Sequence, residues 1–174
     1  DPGRGWNQEW RKPLREGLNQ LNERLAALFE TQGGDLFKEP WAARDDYVSV
    51  LPPAPRSAWD DFLKRHQRRP LSGEEEVRAA KLLESQRWAL YMFTSCAWFF
   101  DDIAGIEAIQ NLRFAARALQ LASELDGGGW EEGLLEYLEQ AKSNQKREGS
   151  GADIWRRHVV PAKVGPRRVV AHAA

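Results

Sequence analysis

Five leucines set the frame. Leu14, Leu18, Leu21, Leu25 and Leu28 recur in steps of four and three, which places them on one stripe of an α-helix and on no single face of a strand. Pro13 suits the first turn of that helix, where its missing N–H costs nothing, and Gly33-Gly34 offers a left-handed residue to end it. The same period returns down the chain. A second helix is expected from Pro40, burying Trp41, Tyr47 and Val48 and ending before Pro52-Pro53, because the residue ahead of a proline is pushed out of helical geometry. Ser57 with Asp60 reads as the cap of a short helix carrying Trp59, Phe62 and Leu63. Ser72 and Glu75 form a capping-box pattern. The helix they open is expected to be the longest, running through Val77, Leu83 and Leu90 toward Cys96, with apolar residues on nearly all sides beyond Trp88. Gly105 marks a break. Ile109, Leu112, Ala116 and Leu119 form another stripe, ended by Gly127-Gly128-Gly129, and Leu134, Leu135 and Leu138 make a further helix.

After Ala141 the character changes. Residues 142–174 hold eight Lys/Arg against two Asp/Glu, so a basic end follows a more acidic body. Ser143 to Gly151 is polar and contains glycine, as a linker does. Ser150 with Asp153 is placed to cap a short helix through Trp155, Pro161 and Gly165-Pro166 interrupt it, and Val169-Val170-Ala171 begins a further element. No stretch sustains strand alternation. The expected fold is all-α, an antiparallel bundle of five or six helices over residues 1–141, with 142–174 as linker and truncated C-terminal helical segment of the same domain.

Composition narrows the function classes. A chain of 174 residues is the size of one domain, and its 42% hydrophobic and 29% charged content argues against global disorder. With 25 Lys/Arg and 26 Asp/Glu the net charge is -1, unlike a globally basic nucleic-acid binder. The pairs Arg156-Arg157 and Arg167-Arg168 are short and read as a solvated face or as one that pairs with the acidic first part of the chain. The longest apolar run, Ala89 to Phe100, falls short of the ~20 residues of a membrane span. Cys96 is the single cysteine, so neither an internal disulfide nor a multi-cysteine metal site is expected. Nothing beside it in sequence is a base, and the thiol is expected to be inert packing. His66, His158 and His172 lack metal-ligand spacing. No phosphate-binding or nucleophile-elbow motif occurs, and no metal or cofactor is expected. The start at Asp1, without a methionine, is read as the start of a fragment.

The segment from Thr94 to Glu107 is the candidate site. Trp98-Phe99-Phe100 runs directly into Asp101-Asp102. On a helix Trp98 and Asp102 are i, i+4 neighbours. An aromatic plate beside a carboxylate suits sugar, because the ring covers the C–H face of a pyranose and the carboxylate accepts its hydroxyls. The competing reading makes the three aromatics core and Asp102 the cap of the next helix. Glu107 lies in the same segment. Arg87, seven positions before Thr94, is placed to reach an anion or hydroxyl, although a structural ion pair is its commoner use.

The stretch Thr94-Ser95-Cys96-Ala97-Trp98-Phe99-Phe100-Asp101-Asp102-Ile103-Ala104-Gly105-Ile106-Glu107 resembles a motif of bacterial proteins related to glycoside hydrolase family 57, which carry a helical region of unknown function after the catalytic barrel. Gly5-Trp6-Asn7 with Trp10-Arg11 and Pro13-Leu14-Arg15, Asp35 through Asp45, Phe114 to Leu119, and the ending from His158 to His172 resemble the same region. The family has glycine where Ala97 stands. The resemblance implies an accessory domain packed beside a barrel of the parent chain. That barrel, absent here, holds the nucleophilic and acid/base carboxylates, so the chain alone is expected to be inactive. The resemblance also implies that the helices lend a tryptophan and an aspartate to the substrate cleft. Trp98 matches the tryptophan. The aspartate position falls on Ala97, which leaves Asp101 or Asp102 to substitute. The implied partners are the barrel and carbohydrate, with no nucleic acid and no membrane, in the cytoplasm, and with a homodimer possible through the surface that truncation exposes. The alternative is a non-catalytic helical module that binds a partner protein.

Overall fold

The computed structural model describes residues 5–163. The expectations for Gly165-Pro166, Arg167-Arg168, Val169-Val170-Ala171 and His172 lie outside the described residues. The fold is all-α, with no strand among the described residues. The described residues form seven α-helices rather than five or six: α1 (Arg11–Leu36), α2 (Pro40–Asp46), α3 (Arg56–His66), α4 (Gly73–Tyr91), α5 (Ile106–Asp126), α6 (Glu131–Gln140) and α7 (Gly151–Ile154). The stripe of α1 is buried at Leu14, Leu18, Leu21 and Leu25.

Three contacts fix the helix directions. Gln86 of α4 donates to the Leu25 carbonyl of α1 at 2.9 Å, and Arg78 donates to Gln32 at 3.0 Å, so α4 runs antiparallel to α1. Lys81 pairs with Glu124, while Trp88 meets Phe114 with ring centres 5.6 Å apart, so α5 runs antiparallel to α4. Arg24 lies over Trp130, and Gly17 faces Leu134 and Tyr137, so α6 also runs antiparallel to α1. A larger core holds Leu14 to Leu25, Met92, Ile103, Leu112, Leu119, Leu134, Ile154 and Trp155. A smaller one holds Phe29, Leu36, Phe37, Phe62, Leu63, Leu82 and Leu83.

Several ends differ from expectation. α1 does not stop at Gly33-Gly34 but continues to Leu36 and is the longest helix, at 26 residues. Gly33 is buried inside it, and a Cβ there would lie 3.3 Å from the Pro40 Cβ. The glycine serves close packing of α2 on α1. The start of α3 is Arg56 behind Pro55, with no side-chain cap; Asp60 instead pairs with Arg56 at 3.0 Å. Val48 is exposed, not buried, because Tyr47–Val50 forms one tight 3-10 turn whose eclipsed geometry sends Tyr47, not Val48, inward to Phe62. α4 ends at Tyr91 and does not reach Cys96.

Both capping boxes are present. Ser72 accepts from the Glu75 amide and Glu75 accepts from the Ser72 amide, and the same exchange joins Ser150 and Asp153. Glu75 is further gripped by the Arg69 guanidinium at 2.5 and 2.9 Å. The Arg69 bonds, then the Ser72 amide, lower its carboxyl from an ordinary 4.5 to about 2. A folded-state pKa below the unfolded one contributes stability that is fully present above about pH 4.5 and is lost as pH falls toward 2. An NMR titration of Glu75 should show this low midpoint, and Arg69→Ala should return it toward the ordinary range.

At Gly17, α1 and α6 approach closely. A Cβ there would sit 2.8 Å from the Tyr137 Cβ and 3.1 Å from a Leu134 methyl. Gly17→Ala gains about 1 kcal/mol of helix propensity but forces α6 outward at a cost of about 1–3 kcal/mol. A net loss of stability by urea titration is the expected outcome.

Candidate functional site

The segment singled out in the sequence is not the end of a long helix. It is a crossover of fourteen residues, 92–105, between α4 and α5, with one 3-10 turn over Ser95–Trp98. Trp98 and Asp102 therefore do not stand one helical turn apart on a common face. The apolar run from Ala89 broke the helix because Met92 and Ala97 turn into the main core while Phe99 and Phe100 face out.

Hydrogen bonds hold the crossover at both ends. At its start, Thr94 Oγ1 donates to Asn111 Oδ1 at 2.6 Å, and Asn111 Nδ2 donates back to the Thr94 carbonyl at 3.0 Å. Asn111 is buried on the inner face of α5, where only a fully paired amide is tolerated. At its end, the buried Asp102 carboxylate accepts from the Ala104 amide at 2.8 Å, from Ser143 Oγ at 2.8 Å and from the Asn144 amide at 2.5 Å. Asn144 Nδ2 donates to the Asp101 carbonyl at 2.7 Å and to the Asn7 carbonyl at 3.0 Å. The polar stretch after Ala141 is thus a folded strap that ties the crossover to the N-terminal segment. Asp102 does not cap α5; Gly105 stands at that position with no side-chain bond.

Trp98 is half-buried. Its ring lies parallel to that of Trp10, with centres 6.5 Å apart, and the Arg15 guanidinium sits 5.3 Å from its centre. Its Nε1 is buried with no hydrogen-bond partner among the described residues. Arg15 also lies 4.9 Å from the Phe93 ring centre. Asp101 accepts from Gln8 Nε2 at 3.0 Å. Glu107 lies in the first turn of α5. Trp98, Asp101, Asp102 and Glu107 are therefore in or beside the crossover. Arg87 is committed elsewhere: it pairs with Glu84 at 2.8 Å and lies over the rings of Trp88 and Tyr91. Glu84 also accepts from the Tyr47 hydroxyl at 2.8 Å and from Trp88 Nε1 at 3.0 Å, which makes Arg87 part of a structural cluster.

Three large apolar side chains face out, two on the crossover and one at the start of α5. Phe99 is 85% exposed, Ile106 74% and Phe100 50%. Cys96, expected to be packed, is exposed. It helps line a groove of about 460 Å³ together with Thr94, Ile106, Glu107, Gln110 and Asn111. Sequence reasoning did not select Asn111, Gln110, Arg15 or Asn144. Asn111 did carry a signal, a polar residue set among Ala108, Leu112 and Ala115 on the inner face. Asn144 carried none, since its role depends on three segments distant in sequence.

These features define a class: an all-α bundle with a braced, outward-facing aromatic crossover. The chain belongs to the family described as a domain of unknown function (DUF3536), which matches residues 6–174. No curated protein and no solved structure matches it. Among the described residues no helix is long and apolar enough to cross a membrane, and no three His, Cys, Asp or Glu side chains gather to hold a metal.

Proposed function

We propose that this chain is the accessory helical domain of a glycoside hydrolase family 57-like cytoplasmic enzyme, and that its crossover meets the catalytic barrel of the parent chain at the edge of a carbohydrate cleft. The observation that carries the reading is the exposed pair Phe99 and Phe100 on a segment braced by Asn111 and Asp102, with Ile106 exposed at the start of α5. Large apolar side chains left exposed favour an interaction site, and bracing keeps them in one shape before a partner arrives, which lowers the ordering cost of association. The sugar chemistry rests on the motif resemblance of residues 94–107. Trp98 and Asp101 then act from behind the contact, holding its geometry, while Asp102 fixes the strap.

The test has two arms. The chain alone should turn over no glycoside, and the double change Phe99→Ser, Phe100→Ser in the parent enzyme should lower kcat/KM on α-glucans by about tenfold or more. Turnover by the chain alone, or full activity of the double variant, sinks the reading. The alternative, a module for a separate protein partner, predicts intact glycoside turnover with loss of that partner. A homodimer of the isolated chain through the same side chains should dissociate in the double variant when measured by sedimentation.

A further inference from the structure

The groove beside the crossover has a chemistry of its own. One wall is the turn Thr94–Cys96 and the other is the start of α5. Glu107 and Gln110 are three residues apart on that helix, so they share a face. Neither side chain has a hydrogen-bond or ion-pair partner among the described residues. Ile106 and Cys96 supply the apolar part of the lining. The floor is preformed, because Asn111 and Thr94 spend their polar atoms on each other.

The lining disfavours anionic ligands. No Lys, Arg or His contributes to it, so nothing there favours an anion. Glu107 offers acceptor oxygens, and its charge is already favoured by the helix start, where the amide dipoles point positive. Gln110 both donates and accepts. A neutral ligand with several hydroxyls and one apolar face fits this set, and a volume of about 460 Å³ suits a small molecule.

We propose that this groove is a pyranose-binding subsite, with Glu107 accepting from ring hydroxyls, Gln110 bridging a neighbouring hydroxyl, and Ile106 covering the C–H face. The proposal deepens the carbohydrate reading above and rests on it for the sugar class, but it concerns the groove and not the Phe99–Phe100 contact. Ile106 borders both, but the readouts are separate: loss of Cys96 protection tests the groove, and the kcat/KM of the Phe99, Phe100 double variant tests the docking, so the two failures are distinguishable.

Cys96 is the chain's own reporter. It is the single thiol, exposed, and part of the lining. The rate of its alkylation by iodoacetamide in the full 174-residue chain is measured by mass spectrometry against rising methyl α-D-glucopyranoside. Saturable protection is expected, with a midpoint in the range of about 1–10 mM, the affinity of a few hydrogen bonds on an open groove. Glucose 6-phosphate should protect less, because its phosphate meets Glu107. Glu107→Gln and Gln110→Ala should each raise the midpoint by about fivefold or more. Both are partly exposed positions where folding is retained, which circular dichroism checks. Three outcomes overturn the proposal: no protection at about 100 mM glucoside, equal protection by cyclohexanol, or an unchanged midpoint in both variants.

Discussion

Trp155→Ala should lower the unfolding free energy by about 3–5 kcal/mol, the cost of emptying a fully buried aromatic site. The ring is 0% exposed and belongs to the main core. Its Nε1 donates to Glu131 Oε1 at 2.5 Å, and the Lys163 ammonium lies 5.2 Å from its centre. Burial raises the Glu131 carboxyl, but the bonds from Lys163 and Trp155 more than offset that, and the net direction is down. Trp155→Phe keeps most of the apolar contact and loses the donor, so about 1–2 kcal/mol should go. For a chain of this size the alanine change corresponds to a fall in Tm of about 10 °C. Urea titration of the three proteins checks the order. The result matters for the architecture, because residues 142–163 would then be a structural part of the bundle and not an appendage. Trp98→Ala should cost less than Trp155→Ala, since its ring is only half-buried against Trp10 and Arg15.

Asp102→Ala should cost about 3 kcal/mol. Three donors meet one buried carboxylate, and removing it leaves the Ser143 hydroxyl and the Asn144 amide without their acceptor in a part-buried site. Asp102→Asn should recover part of the loss. Its oxygen can still accept from Ala104 and Ser143, but its amine faces the Asn144 N–H, two donors with nothing between them. Hydrogen exchange should reveal where the loss falls: protection at Ala104 and Asn144 should drop before that of α1. A carboxylate with no structural duty would give a change of about 0.5 kcal/mol or less, and that outcome would return Asp102 to the list of residues free to face a ligand.

What the sequence made legible was periodicity and capping. The stripe of α1, the stripe of α5 and both Ser-x-x-acid boxes follow from spacing alone, because each depends on residues within one or two turns. What it hid were the places where distant segments meet. Gly33 looked like a stop, and only the approach of Pro40 shows why α1 passes through it. Ser57 and Asp60 looked like a cap, but Pro55 fixes the start of α3 and Asp60 goes to Arg56. The crossover looked helical because its aromatics continue the apolar run of α4; what bends it is Met92 and Ala97 entering the core and Asn111 gripping Thr94. Of the candidate site residues, Trp98, Asp101, Asp102 and Glu107 fall in or beside one crossover, as their nearness in sequence dictates. The sequence could not show that Asp102 would be spoken for by Ser143 and Asn144, forty residues downstream, or that Arg87 would be held by Glu84.

The length of α1 has a mechanical consequence. At about 1.5 Å per residue its 26 residues make a rod of roughly 39 Å. Leu14 to Leu25 anchor one end of it in the larger core, and Phe29 to Leu36 anchor the other in the smaller. The α-helical backbone between them is continuous. Melting either core leaves half of a rod standing without its packing, a length of helix that is marginal in water by itself. The two cores are therefore coupled like two weights on one axle, and a disturbance at the α2–α3 end is felt at the base of the aromatic crossover without any part of the chain having to travel between them.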